Sequence, residues 1–300
     1  IEYLTRGTNS TFSLRNIAME LRKVCNHPFL ITGAEEQIER EKKEMLHLEY
    51  DEPPPANFEF DLLVRTAGKM ILLDKLLAKL EQDKHRVLIF SQMTRMLDII
   101  QDYLDMKKYE FCRIDGNVKA QDRQNNIDKF NAKNSKYFVF LLCTRSGGVG
   151  INLTSADTVI IFDSDWNPQN DIQAASRCHR IGQKKEVKMY RFITAKSYER
   201  KLFDMASIKL GLDHAVLGGS SKEEPDIDIE KILRFGAYYA YEDETDNKES
   251  ETFGEEDIES VISRSTRIRH ASVVGGQGST FSTAHFELSE KDVDLTDPDF

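Results

Sequence analysis

The stretch SRCHRIGQ, from Ser176 to Gln183, holds two arginines, Arg177 and Arg180, three positions apart, with Gln173 four positions before the first. On a helix all three share one face. Such a trio either lies in solvent or jointly holds something polar. A second candidate is TRSGGVGINL, Thr144 to Leu153, in which Gly147, Gly148 and Gly150 permit positive φ. Their backbone N–H groups either face a phosphate or serve only a strand-to-helix turn. A third is DSDWNP, with the sole tryptophan, Trp166, among turn residues; its ring is either core or a surface plate for sugar or base. Asp163 and Asp165 read as turn and capping residues rather than as metal ligands, since no carboxylate or histidine stands beside them at ligand spacing. No G-x-x-x-x-G-K-[ST] occurs anywhere. The chain therefore carries no triphosphate cradle of its own.

Apolar periodicity defines the frame that must position these groups. STFSLRNIAMELRKVCNHPFLI, residues 10 to 31, reads as an amphipathic helix that ends at Asn26-His27-Pro28, where proline forbids continuation. EEQIEREKKEMLHLEYDEPPP follows as an exposed helix and linker. From Gly68 onward, helices at 69 to 81, about 94 to 106 and up to Phe130 alternate with the runs VLIF (87 to 90), FCRID (111 to 115) and FVFLLCT (138 to 144). TVIIFDS (158 to 164), VKMYRFIT (187 to 194) and a long helix from Tyr198 to about Val216 complete the series. That helix spaces Leu202, Phe203, Ala206, Leu210 and Leu212 as a buried stripe. Short β-branched runs between helices imply a three-layer α/β domain, a parallel sheet covered on both faces. In such sheets the working loops lie beyond the carboxyl ends of the strands. Those ends carry Ser91-Gln92, Asp115-Gly116, Thr144 with the glycine loop, and Asp163.

The net charge of −10 argues against a strongly basic nucleic-acid binder, but the charge is unevenly spread. Residues 1 to 219 carry 33 Lys+Arg against 30 Asp+Glu, whereas residues 220 to 300 carry 8 against 21. A near-neutral body able to hold a basic patch is thus followed by an acidic segment. The four cysteines, Cys25, Cys112, Cys143 and Cys178, lie far apart and read as reduced and mostly buried. No apolar run approaches ~18 residues, and the opening IEYLTRGTNS lacks the plan of a signal peptide, so neither membrane nor export is expected.

Taken together, QAASRCHRIGQ, TRSGGVGINL, DSDWNPQND, VLIFSQM and RIDGNVKAQDR resemble the second lobe of superfamily-two helicase-like ATPases, in the Swi/Snf chromatin-remodelling branch. MELRKVCNHPFLI resembles the segment that this branch carries just before that lobe, so the likeness covers residues 10 to about 217. IEKILRFGAYYAYEDE, FGEEDIESVISRSTRI and GQGSTFSTAHFELSE look like the region after the motor in Kismet-like chromodomain-helicase-DNA-binding remodelers. The resemblance implies a RecA-like lobe at 67–196, a helical segment and charged linker at 1–66, a brace helix at 197–218, and an acidic post-motor region at 219–300.

It also implies chemistry. Arg177 and Arg180 are expected to reach a γ-phosphate across an interlobe cleft, where a guanidinium's fixed fork and permanent charge suit the developing negative charge. Gln173 and Gln183 would orient them or touch nucleotide, with Gly148 and Gly150 at the cleft. DNA backbone contacts would come from Ser91, Gln92, Asp115, Gly116, Arg123, Thr144, Arg145 and Trp166, sequence-tolerant and salt-sensitive. ATP and Mg²⁺ would be held mainly by an N-terminal lobe, without which this chain should not hydrolyse ATP. Double-stranded DNA and nucleosomes are the implied partners, and the nucleus the implied compartment. Burial of the Arg177 and Arg180 side chains in the interior of the fold, or their pointing away from any opening flanked by the glycine loop, would defeat the motor reading. An RNA helicase lobe would share the arginine pair and glycine loop, and a non-catalytic nucleosome-binding module is the remaining alternative. The tail is either a disordered spacer or a segment docked on a lobe. Lys184, Lys185 and Lys188 read as a solvated edge rather than a nucleic-acid patch.

Overall fold

The computed structural model of this 300-residue chain describes residues 10–46, 54–144, 151–165, 167–178, 183, 185–195, 197–204 and 252–265. The chain divides into two units, 1–258 and 259–300. Of the second, residues 259–265 are described; they include most of a short helix, Ile258–Arg264, with no buried residue.

In the first unit, α1 (Ser10–Asn26) leads through a 3-10 turn (Pro28–Leu30) to α2 (Ala34–Met45), α3 (Phe58–Arg65) and α4 (Gly68–Gln82). The sheet region runs β1 (Val87–Ser91), α5 (Thr94–Met106), β2 (Phe111–Ile114), α6 (Ala120–Asn131), β3 (Val139–Cys143), β4 (Thr158–Ile161), α7 (Pro168–Ala175) and β5 (Lys188–Arg191). Residues 198–204 are again helical. Helix α1 stops where Pro28 cannot continue it. There the buried His27 ring accepts the Phe29 N–H at Nδ1 (3.1 Å) and donates from Nε2 to the Leu63 carbonyl (2.8 Å). Burial lowers its pKa and keeps it neutral, so the ring fastens the end of α1 to α3.

All five strands are parallel, in the order β2-β3-β1-β4-β5. Val87 pairs with Val139 on one side and Thr158 on the other, which sets β1 at the centre. The central strands are apolar along their whole length because helices cover both faces. Leu88, Phe90, Phe140, Leu142, Val159 and Ile161 face one layer with Ile127 and Phe130 of α6 and Ala174 of α7. The alternate residues turn the other way by the two-residue strand period, toward the side where α5 lies against β1 and β3. Helix α5 presents Met96, Leu97, Ile100, Tyr103 and Leu104 as one buried stripe. Cys112, Cys143 and Cys178 are buried thiols and Cys25 is half-buried, and none of the four is in a disulfide.

The α/β architecture and all five strand positions follow the sequence expectation. Two elements depart from it. Helix α3 arises just after the stretch read as exposed helix and linker, between Pro55 and Gly68 where the sequence pattern assigns no element, because Phe58, Leu62, Leu63 and Val64 form a buried stripe. Helix α7 stops at Ala175, so Gln173 and Arg177 do not share a helix face, and Arg180 lies outside the described residues. The Arg177 N–H bonds to the Ala174 carbonyl (3.1 Å), and Ser176 Oγ donates back to the Gln173 carbonyl (2.7 Å), which tightens the chain into a turn. The brace helix beyond residue 204 and the IEKILRFGAYYAYEDE segment lie outside the described residues.

Candidate functional site

Three neighbouring strands end side by side at the carboxyl edge. The Ser91 carbonyl accepts the Thr144 N–H (3.0 Å) and the Phe90 carbonyl accepts the Phe162 N–H (2.9 Å), joining the ends of β3, β1 and β4. Ser91 itself is fully buried, and its hydroxyl accepts the Met93 N–H at 3.2 Å. Its side chain therefore shapes the turn, unlike the surface contact expected of it. At Gln92 the backbone N–H meets both carboxylate oxygens of Asp163, at 3.0 and 3.3 Å.

Among the described residues, four buried side-chain atoms at this edge have no partner: Gln92 Nε2 after β1, Thr144 Oγ1 after β3, Ser164 Oγ after β4 and Arg191 Nε at the end of β5. A buried donor or acceptor left unmade costs about 1–3 kcal/mol. Such orphans in a row along adjacent strand ends call for ordered water or for a polar ligand to which the edge opens. The chain crosses from one side of β1 to the other between β3 and β4, so the row lies at the topological switch point where ligands of open α/β sheets bind.

Beside β2, Asp115 is engaged within the protein. Its Oδ1 accepts the Asn117 N–H (2.9 Å), while Oδ2 pairs with Arg113 at 2.8 Å. Arg113 also grips Asp98 (2.7 Å) and Gln101 (2.9 Å). Asp115 thus builds the turn that presents Gly116, where an added Cβ would meet nothing within 4 Å. Open space over a glycine allows close approach of a backbone phosphate. Arg123 is half-buried on α6.

The arginine region resolves unequally. Arg177 is only 8% exposed, in the turn after α7, and its carbonyl accepts the Leu153 N–H (3.2 Å). A guanidinium that reaches a triphosphate must be accessible, so this burial departs from the expectation for Arg177. The Leu153 bond instead joins the arginine turn to the exit of the glycine loop. Arg180, Arg145, Gly148, Gly150 and Trp166 lie outside the described residues. Gln173 is exposed. Gln183 donates its amide to the carbonyls of Ala156 (2.7 Å), Thr154 (3.1 Å) and Cys178 (3.2 Å). It accepts the Lys185 N–H (3.0 Å), so it holds the chain on both sides of Arg180.

The aspartates after β4 do the turn and capping work expected of them. Asp165 Oδ1 accepts the Asn167 N–H (2.8 Å), and Asp171 Oδ1 accepts the Asp165 N–H (3.3 Å). Burial pushes the Asp171 carboxyl up to about 6, against the pull of Arg191 at 3.2 Å. Two supports went unseen in the sequence. The Arg22 guanidinium of α1 reaches the Ser164 carbonyl (2.6 Å) and Asp163 (3.4 Å). The buried Lys69 ammonium of α4 bonds to Glu199 (2.6 Å), Asn26 (2.9 Å) and the Phe162 carbonyl (2.9 Å). Neither cation carries a local sequence signal, because each sits on an amphipathic helix where solvent is the default expectation.

A five-stranded parallel sheet covered on both faces, in this strand order, has the architecture of a RecA-like lobe. Comparison with known proteins agrees. Residues 68–182 match the family Helicase conserved C-terminal domain. The chain is 52% identical over 312 residues to Chromodomain-helicase-DNA-binding protein 8 of Homo sapiens, covering 99% of this chain and 12% of that protein. It is 52% identical over 307 residues to Chromodomain-helicase-DNA-binding protein 7 of Homo sapiens, covering 98% of this chain and 10% of that protein. The solved C-terminal part of the Fun30 ATPase domain superposes with a TM-score of 0.54 at 30% identity, covering 79% of this chain and 82% of that one. The chain belongs to the Swi/Snf-type C-terminal helicase lobes and is similar to the chromodomain-helicase-DNA-binding proteins 7 and 8.

Proposed function

We propose that this chain is the arginine-donating, DNA-gripping half of an ATP-dependent double-stranded DNA translocase that remodels nucleosomes in the nucleus. The observation that carries the reading is the row of orphaned polar atoms at Gln92, Thr144 and Ser164. Hydroxyl and amide groups at strand ends, next to an open glycine at 116, suit the oxygens of a nucleic-acid backbone, whose contacts position without reading sequence. The names of the relatives, which pair chromodomain, helicase and DNA binding, point the same way. ATP and Mg²⁺ belong mainly to the N-terminal lobe, since no phosphate-cradling motif occurs in this sequence. They supply the phosphoryl group and its charge neutralisation.

In this reading Arg180 is the guanidinium delivered to the γ-phosphate. Gln183 and the Arg177 turn orient the loop that carries it. The brace helix at 197–218 and the acidic region at 219–300 follow the lobe as steadying and regulatory segments. The test uses the full-length, two-lobed protein. Double-stranded DNA and nucleosomes should stimulate its ATP hydrolysis and RNA should not. Arg180→Ala should lower the stimulated rate by about 10³-fold while DNA binding persists. Stimulation by RNA alone would favour the helicase alternative, and undiminished turnover in the variant would remove Arg180 from the chemistry.

A further inference from the structure

The geometry points to a positioning role for Arg22 and Asp163: together they hold the Gln92 and Ser164 turns in the arrangement that receives the DNA backbone. This inference rests on the function proposed above and extends it to the helix that precedes the lobe. Nothing in the sequence of α1 suggests a site, since its polar residues look like a solvated face. Yet Arg22 is buried, 141 positions before the aspartate it pairs with.

The chain of contacts is short. Arg22 Nη2 donates to the Ser164 carbonyl at 2.6 Å and lies 3.4 Å from Asp163 Oδ2. Asp163, 1% exposed, turns its carboxylate onto the Gln92 N–H at 3.0 and 3.3 Å. The two residues that carry the orphaned atoms Gln92 Nε2 and Ser164 Oγ are thus held through their backbones by one charge pair. The atoms Gln92 Nε2 and Ser164 Oγ are themselves buried, so a DNA backbone reaches them only as these turns open. Ordinary turn-making would have consumed those side chains, as it consumes the Ser91 hydroxyl.

The arginine is itself fixed in place. Four residues later on α1, Asn26 accepts from the buried Lys69, which also grips Glu199 and the Phe162 carbonyl. Glu199 Oε2 in turn accepts the Thr194 N–H (3.0 Å), and Thr194 Oγ1 donates to the Cys25 carbonyl (3.2 Å). Helix α1 is therefore pinned to the ends of β4 and β5 by a closed ring of buried contacts, and Arg22 projects from it at a fixed angle. Both contacts leave from one nitrogen, Nη2, so what a lysine would lack here is the arginine's longer reach rather than its fork.

The experiment measures ATP hydrolysis by the full-length protein against DNA concentration in Arg22→Met, Arg22→Lys and Asp163→Asn, with a melting curve for each. Arg22→Met and Asp163→Asn should raise the DNA concentration for half-maximal stimulation about tenfold, and Arg22→Lys about threefold, each misplacing one or two polar contacts. KM for ATP and the rate at saturating DNA should stay within about twofold. A merely structural role would lower the melting temperature and the active fraction but leave the half-saturating DNA concentration unmoved, and that result would overturn the proposal. Failure of all three variants to fold would also overturn it, by making the pair a scaffold for the whole lobe. Lack of DNA stimulation in the unaltered protein would instead count against the function proposed above.

Discussion

The two ends of the sheet treat their polar groups in opposite ways. At the amino end Asp157 is well supplied: its carboxylate takes Lys185 Nζ (2.7 Å), the Arg86 N–H (3.2 Å) and Thr158 Oγ1 (3.2 Å), and it lies 3.1 Å from His85 Nδ1. Burial alone would raise its pKa, but the Lys185 bond and the nearby His85 outweigh that and hold it below the usual carboxylate range. Beside it the Arg86 guanidinium bonds to the Phe130 and Tyr137 carbonyls and stacks 4.1 Å from the Phe130 ring. At the carboxyl end the cations sit behind the edge, on backbone and carboxylate, while side-chain donors of the edge itself remain unmade. A well-supplied cluster holds a fold together; a row of orphans costs stability that ordered water or a ligand returns.

Breaking the amino end should cost the fold and nothing else. Asp157→Ala is expected to lower unfolding free energy by about 2 kcal/mol, with DNA half-saturation unchanged. The sign of its pH dependence follows from the lowered pKa. The contribution of Asp157 is present above about pH 4 and disappears as pH falls through its depressed value, so wild type and variant should converge in acid. Denaturation at several pH values checks this. Asp171, pushed up to about 6 by burial, runs the other way: its protonated form suits the folded state, so it costs stability as pH rises toward neutral.

The carboxyl end should give the mirror result with a smaller effect. Thr144→Val keeps the shape and removes an orphaned hydroxyl, so stability should hold or rise by up to about 1 kcal/mol. The DNA concentration for half-maximal stimulation should rise about fivefold, since one backbone contact is lost. A Thr144→Val protein that is less stable and binds DNA normally would erase the contrast between the two ends.

The strands were legible because VLIF, FVFLLC and TVIIF are apolar on both faces, a pattern that only a covered parallel sheet explains. The motif loops were legible because strand ends in this architecture carry the working residues. Helix α3 was hidden by the neighbouring prolines and charges. The end of α7 was hidden because Ser176 and Arg177 are compatible with a helix, and only the return bond of Ser176 shows the turn. Arg22 and Lys69 could not be read at all. Their partners lie 141 and 130 positions away, and burial of a cation is decided by that distant carboxylate rather than by local pattern.

Hydrogen exchange of the full-length protein with and without double-stranded DNA tests the central claim most directly, because it reads both ends of the sheet at once. Slower exchange on adding DNA is expected at Gln92 and Met93, around Gly116, at Thr144 and at Ser164, with none at His85, Arg86, Asp157 or Lys185. Protection at the amino end instead, or an unchanged carboxyl end, would contradict the assignment of the orphaned row to DNA.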